Sequence, residues 1–160
     1  MKIGLVADTH DRVLPSLYDA LAGVDEILHA GDVCRADVLA EIEGVAPVLA
    51  VHGNCDARAL VERLPAERRL EREGIVIHVV HGHRAGRGDV DGIARLVGVE
   101  PGGAADLVVF GHSHEKCDEV RGRTRFFNPG TAGGVGRSPS VGILTIDNGR
   151  ITLAHVALAR

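Results

Sequence analysis

Aromatic residues are scarce in this 160-residue chain: three Phe, one Tyr and no Trp. A core must therefore be filled with Val, Leu, Ile and Ala. The scarcity argues against a stacking platform for single-stranded nucleic acid, which needs aromatic faces. A basic excess is also missing. Lys and Arg number 18 against 22 Asp and Glu, a formal net charge of −4. Proteins that hold long polyanions carry the opposite balance. No long nucleic-acid partner is expected, and any phosphate should be met locally, by a metal or a few arginines.

Cys34, Cys55 and Cys117 form no CxxC pair, a usage that points to a reducing compartment rather than a disulfide framework. The apolar run after Lys2 is cut by Asp8, shorter than the roughly 7–15 residues of a signal-peptide core. No run approaches the roughly 18 apolar residues of a membrane span. The expectation is a cytoplasmic chain without a membrane partner, long enough for one domain over 1–160.

What is present alternates between strand and helix. "KIGLVAD" (2–8), "EILHAGD" (26–32), "PVLAVHGN" (47–54), "GIVIHVVHGH" (74–83) and "DLVVFGH" (106–112) read as buried strands. Between them, Leu14, Leu17, Tyr18 and Leu21 fall at helical spacing, as do Val38, Leu39, Ile42 and Val45, and Val90, Ile93, Ala94 and Val97. An α/β fold with right-handed crossovers and a largely parallel sheet follows. The last third changes character. "KCDEVRGRTRFFNPG" reads as a hairpin turning near Gly122, and Asn148-Gly149 is the turn signal of a second. Parallel units followed by hairpins predict two sheets, or one mixed sheet, covered by helices.

The polar residues fall at strand exits. Asp8 and His10 follow the first strand, Asp32 the second, Asn54 the third, His81 the fourth, and His112 and His114 the fifth. Ligand sites in open α/β sheets form outside the C-terminal ends of strands. At i and i+2 of an extended segment, His112 and His114 would also point to one side. Gly31, Gly53, Gly82 and Gly111 sit beside these residues and permit the close backbone approach a crowded site needs. Taken singly, an Asp at a strand exit reads equally as a helix cap, and Asn54 as a turn residue. Together they give seven donors, too many for one closed four-coordinate zinc site. They suit two adjacent ions sharing a carboxylate. With imidazole and oxygen donors, Mn²⁺, Fe²⁺, Zn²⁺, Ni²⁺ and Co²⁺ are all candidates. Two divalent ions and two aspartates leave a formal charge of about +2, a site suited to a phosphate ester.

The series "DTH", "GD", "GNCD", "HGH" and "GHSH" closely resembles the calcineurin-like metallophosphoesterases, in particular their small prokaryotic phosphodiesterase branch. The match runs in order over residues 1 to about 135. The resemblance implies an αββα sandwich of two mixed sheets with a metal site at the strand C-terminal ends. It implies two divalent ions, Mn²⁺ foremost. Asp8, His10 and His114 would hold one and Asn54, His81 and His112 the other, with Asp32 bridging and a bridging hydroxide as nucleophile. Asp32 and Asn54 would thus be catalytic as well as metal-binding. It implies hydrolysis of a small phosphate diester, with a monoesterase, a nuclease, or a protein-binding scaffold like the retromer subunit of this fold as alternatives. A homo-oligomer is also in keeping with the branch.

Where the wider family has a histidine acid, this chain has Cys55, so good leaving groups should be favoured. Asp56, left without that histidine, reads as a supporting partner of the site or as a helix N-cap, the second being preferred. His83 and Arg84 are the candidate substrate contacts, with Arg87 in the same loop. His29 and His52 are expected to pack beside the motifs, Arg121, Arg123 and Arg125 to form a solvated face, and Asn128 of "NPGT" to fix a loop near the site.

Overall fold

The computed structural model describes residues 1–98 and 105–160. Among them, β1 (Lys2–Val6), β2 (Glu26–His29) and β3 (Val48–Ala50) pair in parallel. The helices α1 (Pro15–Ala20) and α2 (Ala36–Glu43) make the crossovers, and α3 (Arg58–Arg63) follows β3. The second sheet contains β4 (Glu67–Arg72), β5 (Ile75–Val80), β6 (Leu107–Val109), β7 (Cys117–Arg121) and β8 (Thr124–Asn128), with α4 (Val90–Val97) between β5 and β6. Finally β9 (Ser140–Asp147) and β10 (Arg150–Ala157) return to the first sheet. The strand orders are β10-β9-β1-β2-β3 and β4-β5-β6-β8-β7. Each sheet has a parallel centre with antiparallel strands added, so both are mixed.

Three apolar clusters make this a four-layer sandwich. Ile3, Leu5, Leu28, Ile77, Val79, Leu107, Val109, Phe127 and Leu144 fill the space between the sheets. Leu17, Leu21, Leu39, Ile42 and Leu60 cover the outer side of the first sheet. Ile93 joins Val108, Phe110 and Phe126 outside the second. Central strands buried on both faces explain the unbroken apolar runs. β10 alternates between exposed and half-buried positions, as a strand at a sheet edge does. Its turn with β9 carries positive φ at Asn148 and Gly149, the backbone that a two-residue hairpin of type I′ demands.

Three details differ from the sequence reading. Tyr18 lies at a helical apolar spacing, yet it is 40% exposed, and its hydroxyl donates to Glu41 on α2. The Arg/Glu-rich stretch 67–72 is a strand, antiparallel to β5. Arg72 there donates to both carboxylate oxygens of Glu26 at 2.7 and 2.9 Å, tying the edge strand β4 to β2 of the other sheet. The third is α3, a short helix that no periodic pattern announces; only Leu60 of it is buried.

Candidate metal centre

The strand exits converge as their order suggests. Asp8 follows β1, Asp32 follows β2, Asn54 follows β3, His81 follows β5, and His112 and His114 follow β6. The backbone there is unusual. Asp8, His10, Asp32, His112 and His114 all have φ between 45° and 69°, a left-handed conformation that costs an L-residue roughly 1–2 kcal/mol. Such strain persists only where the surroundings hold it, and it clusters at functional sites. It also corrects the extended-segment reading of His112 and His114. Each turns by a left-handed step, and the two side chains serve different halves of the cluster.

In the first half, the Nε2 atoms of His10 and His114 approach to 3.0 Å. Asp8 Oδ1 lies 3.4 Å from His114 Nε2 and 3.8 Å from His10 Nε2. In the second, His81 Nε2 lies 3.2 Å from Asn54 Oδ1 and 3.3 Å from Asp32 Oδ2. The His112 ring stands edge-on to His81, centroids 5.2 Å apart. Asp32 Oδ2 is shared, since it is also 3.8 Å from His10 Nε2.

Hydrogen bonding on the far side of each ring fixes what faces inward. His81 Nδ1 is 2.8 Å from the Ala30 carbonyl, and His114 Nδ1 is 3.0 Å from the Val135 carbonyl. A carbonyl only accepts, so both Nδ1 atoms carry hydrogen and a neutral ring turns its Nε2 lone pair toward the cluster. Lone pairs then face carboxylate and amide oxygens, contacts that repel unless a cation or a proton lies among them. Asp8 Oδ1 is buried without a hydrogen-bond partner, an expensive state for a carboxylate oxygen. An orphaned oxygen amid converging acceptors fits divalent ions.

The electrostatics agree. Burial alone would raise Asp32, but the His81 ring 3.3 Å away and the Cys55 N–H hold it well below the usual carboxylate range. Burial alone would lower His81; the Asp32 carboxylate, 3.3 Å from its Nε2, and the charge of Asp8 override this and raise it. His114 is raised, chiefly by the Asp8 carboxylate, whose Oδ1 lies 3.4 Å from its Nε2. The site draws positive charge to itself.

Close backbone approach makes this packing possible. A Cβ on Gly53 would stand 2.1 Å from Asp32 Oδ1, and one on Gly31 2.8 Å from His81 Nδ1. Both sheets are joined here, since the His112 N–H donates to Asp8 Oδ2 at 3.0 Å. Asn128 donates to the Gly111 carbonyl and to Ser113 Oγ, at 3.0 and 3.1 Å. It braces the His112–His114 loop in the role its motif suggested.

Other positions depart from expectation or add to it. Asp56 does not cap α3; Ala57 holds that position. The Asp56 carboxylate instead accepts from the Cys34 and Gly53 N–H groups, both at 2.6 Å, and so fixes the loop that carries Asn54. The Cys55 thiol is pushed up to about 11 by burial and by Asp32. His83 stands among His52, His81 and His112, with ring centroids 5.4–6.4 Å apart. Its Nδ1 is buried without a partner. Arg84 is exposed and, with His83, lines a hollow of about 150 Å³ beside Glu67 and Leu96. Arg87 instead borders a larger cavity of about 630 Å³ that reaches Ser113.

His29 is fully buried, its Nε2 3.2 Å from Thr9 Oγ1, and His52 is half-buried. Arg125 pairs with Asp118 and Arg121 with Glu119 on the exposed hairpin. Thr131 escaped the sequence reading. Its hydroxyl donates to the Asp8 carbonyl at 2.8 Å and accepts from the Gly134 and Val135 N–H groups. The "NPGT" motif was the signal available.

Sheet ends that gather imidazoles and carboxylates around two adjoining acceptor clusters define a metallohydrolase-type centre on an α/β sandwich. The chain belongs to the calcineurin-like phosphoesterase superfamily, whose domain matches residues 1–149. It is 37% identical over 158 residues to a probable metallophosphoesterase of Methanothermobacter thermautotrophicus, covering 94% of this chain and 89% of that one. It is 28% identical over 162 residues to a phosphodiesterase of Methanocaldococcus jannaschii, covering 90% and 92%. Its fold matches that of Vps29 from Entamoeba histolytica, solved in complex with zinc, with a TM-score of 0.77 at 21% identity over 98% of this chain and 99% of that one. The family implies divalent metal ions. Among the described residues no helix is long and apolar enough to cross a membrane.

Proposed function

We propose that the chain hydrolyses small phosphate diesters at a two-metal centre. The observation that carries this reading is the shared position of Asp32 Oδ2, between His10 Nε2 at 3.8 Å and His81 Nε2 at 3.3 Å. Asp8, His10 and His114 would hold one ion and Asn54, His81 and His112 the other, with Asp32 common to both. Bound divalent ions supply Lewis acidity toward a phosphoryl oxygen and lower the pKa of a coordinated water from 15.7 toward about 7. The donor set admits Mn²⁺, Fe²⁺, Zn²⁺, Ni²⁺ or Co²⁺, and the family resemblance puts Mn²⁺ foremost.

The protein's own contribution is positional. The carbonyls of Ala30 and Val135 fix the His81 and His114 tautomers, and Asn128 holds the loop between the two ligand histidines. His83 adjoins the His81–His112 half through ring contacts that Arg84 does not make, and is the better placed of the two candidate substrate contacts. The thiol of Cys55, held at about 11, protonates a leaving group less readily than an imidazole, whose ordinary value is near 6.5. Esters of good leaving groups are therefore favoured. The acidic balance of the chain favours a small substrate over a long nucleic acid.

The test is hydrolysis of bis-p-nitrophenyl phosphate and p-nitrophenyl phosphate by chelator-stripped protein with each of the five ions restored. Metal-dependent turnover, greater on the diester, is expected. Turnover of the monoester alone would overturn the diester assignment. No turnover with metal bound would favour a binding role.

A further inference from the structure

We propose that Cys55 is a conditional metal ligand: with His10 and Asp32 it binds a thiophilic divalent ion, such as Zn²⁺ or Co²⁺, and stands aside from Mn²⁺. This rests on the metal-centre reading above. Ligand atoms of His10, Asp32 and Cys55 all lie within 4.8 Å of one another, the spread also found for Asp8, His10 and His114 and for Asp8, Asp32 and His81. His10 and Asp32 thus belong both to the oxygen–imidazole centre and to a sulfur-containing one. The thiol flanks the same ion position. It does so from the solvent side, because Cys55 is exposed whereas Asp32 is 2% exposed.

The thiol's place is fixed by its backbone. The Cys55 N–H donates to Asp32 Oδ1 at 2.8 Å, leaving Oδ2 toward the ring nitrogens. Asp56, the next residue, accepts from the Gly53 N–H of this loop and from the Cys34 N–H of another, tying the two together. The buried, unpartnered Asp8 Oδ1, 3.8 Å from His10 Nε2, points to a cation beside that ring. Soft thiolate selects zinc and cobalt over the oxygen-preferring Mn²⁺. When the sulfur–metal bond forms, the thiol proton passes to solvent, so uptake releases a proton. One chain would then hold two kinds of ion in two ways. Coordination by sulfur would fill the solvent-facing position that a substrate needs.

Cobalt distinguishes this inference from the reading beneath it. Chelator-stripped protein titrated with Co²⁺ should develop visible d–d bands, reporting binding, and a near-ultraviolet thiolate-to-cobalt charge-transfer band, reporting sulfur ligation. The second band should vanish in Cys55→Ser while the first persists. It should remain in Cys34→Ser, whose sulfur lies 3.6 Å from Nδ1, the other nitrogen of the His10 ring. Zinc affinity should fall at least the roughly 10–100-fold that losing an outer-shell partner costs, with manganese affinity unchanged. Visible bands without charge transfer, or a charge-transfer band that survives Cys55→Ser, would overturn the thiol's role and leave the metal centre standing. No cobalt spectrum at all would overturn both.

Discussion

His29 concentrates the conflict between burial and charge in one ring. Burial lowers it from 6.5 to about 4, although Asp56, Asp8 and Asp32 pull the other way. Above about pH 6.5 the ring is neutral in folded and unfolded chains alike. Between about 6.5 and 4 only the unfolded chain takes up the proton, so stability falls as pH falls through that window. The full loss is about 3 kcal/mol, reached below about pH 4. Urea unfolding of the metal-free protein across this range should show a shallower fall for His29→Asn than for the natural chain. Equal slopes would mean the ring is protonated in the folded state. At this scale the sequence announced much. Acidic and imidazole residues at successive strand exits are a positional pattern, readable without coordinates. The Val135 and Ala30 carbonyls that orient His114 and His81 left no such trace, because any residue supplies a carbonyl. Asp56 was legible as a capping residue, yet its carboxylate satisfies two N–H groups from separate loops, a contact that only the fold creates.

Among the elements, the apolar strands and both hairpins were readable because burial on both faces and the Asn-Gly turn leave strong local marks. β4 was not, for a physical reason. It is an edge strand whose charged side chains serve Glu26 and the Ala50 carbonyl, and charge on an edge discourages pairing with other chains. The left-handed turns at Asp8, Asp32, His112 and His114 were also invisible, since nothing in those side chains requires positive φ. Something must therefore hold them, and for the last loop Asn128 does. Its carbonyl accepts from His155 Nε2 at 2.8 Å, and its Oδ1 from the Gly130 N–H at 2.9 Å. Asn128→Ala should cost about 1–3 kcal/mol in stability and weaken metal binding about 10–100-fold, read by calorimetric titration. Unchanged affinity would show that the loop keeps its shape unaided.

For the whole molecule, two mixed sheets meet face to face, and the site forms where their parallel strands end together. The resemblance stated from motifs anticipated this sandwich. Strand pattern alone left one sheet or two open, because pairing between distant strands has no local signature. Of the segment joining β5 to β6, residues 99–104 lie outside the described residues. Phe127 joins core to site: it is fully buried between the sheets, stacks on His155 with centroids 4.3 Å apart, and precedes Asn128. Phe127→Ala should destabilise the chain by about 3–5 kcal/mol in chemical denaturation. A loss under about 1 kcal/mol would contradict close packing between the sheets.

The central claim is that Asp32 joins two ion positions. Counting metal bound per chain, by equilibrium dialysis and elemental analysis of Mn²⁺-saturated protein, tests it most directly. The account predicts two ions per chain, and turnover reduced at least about a hundredfold in Asp32→Asn. A single ion per chain at saturation would contradict it.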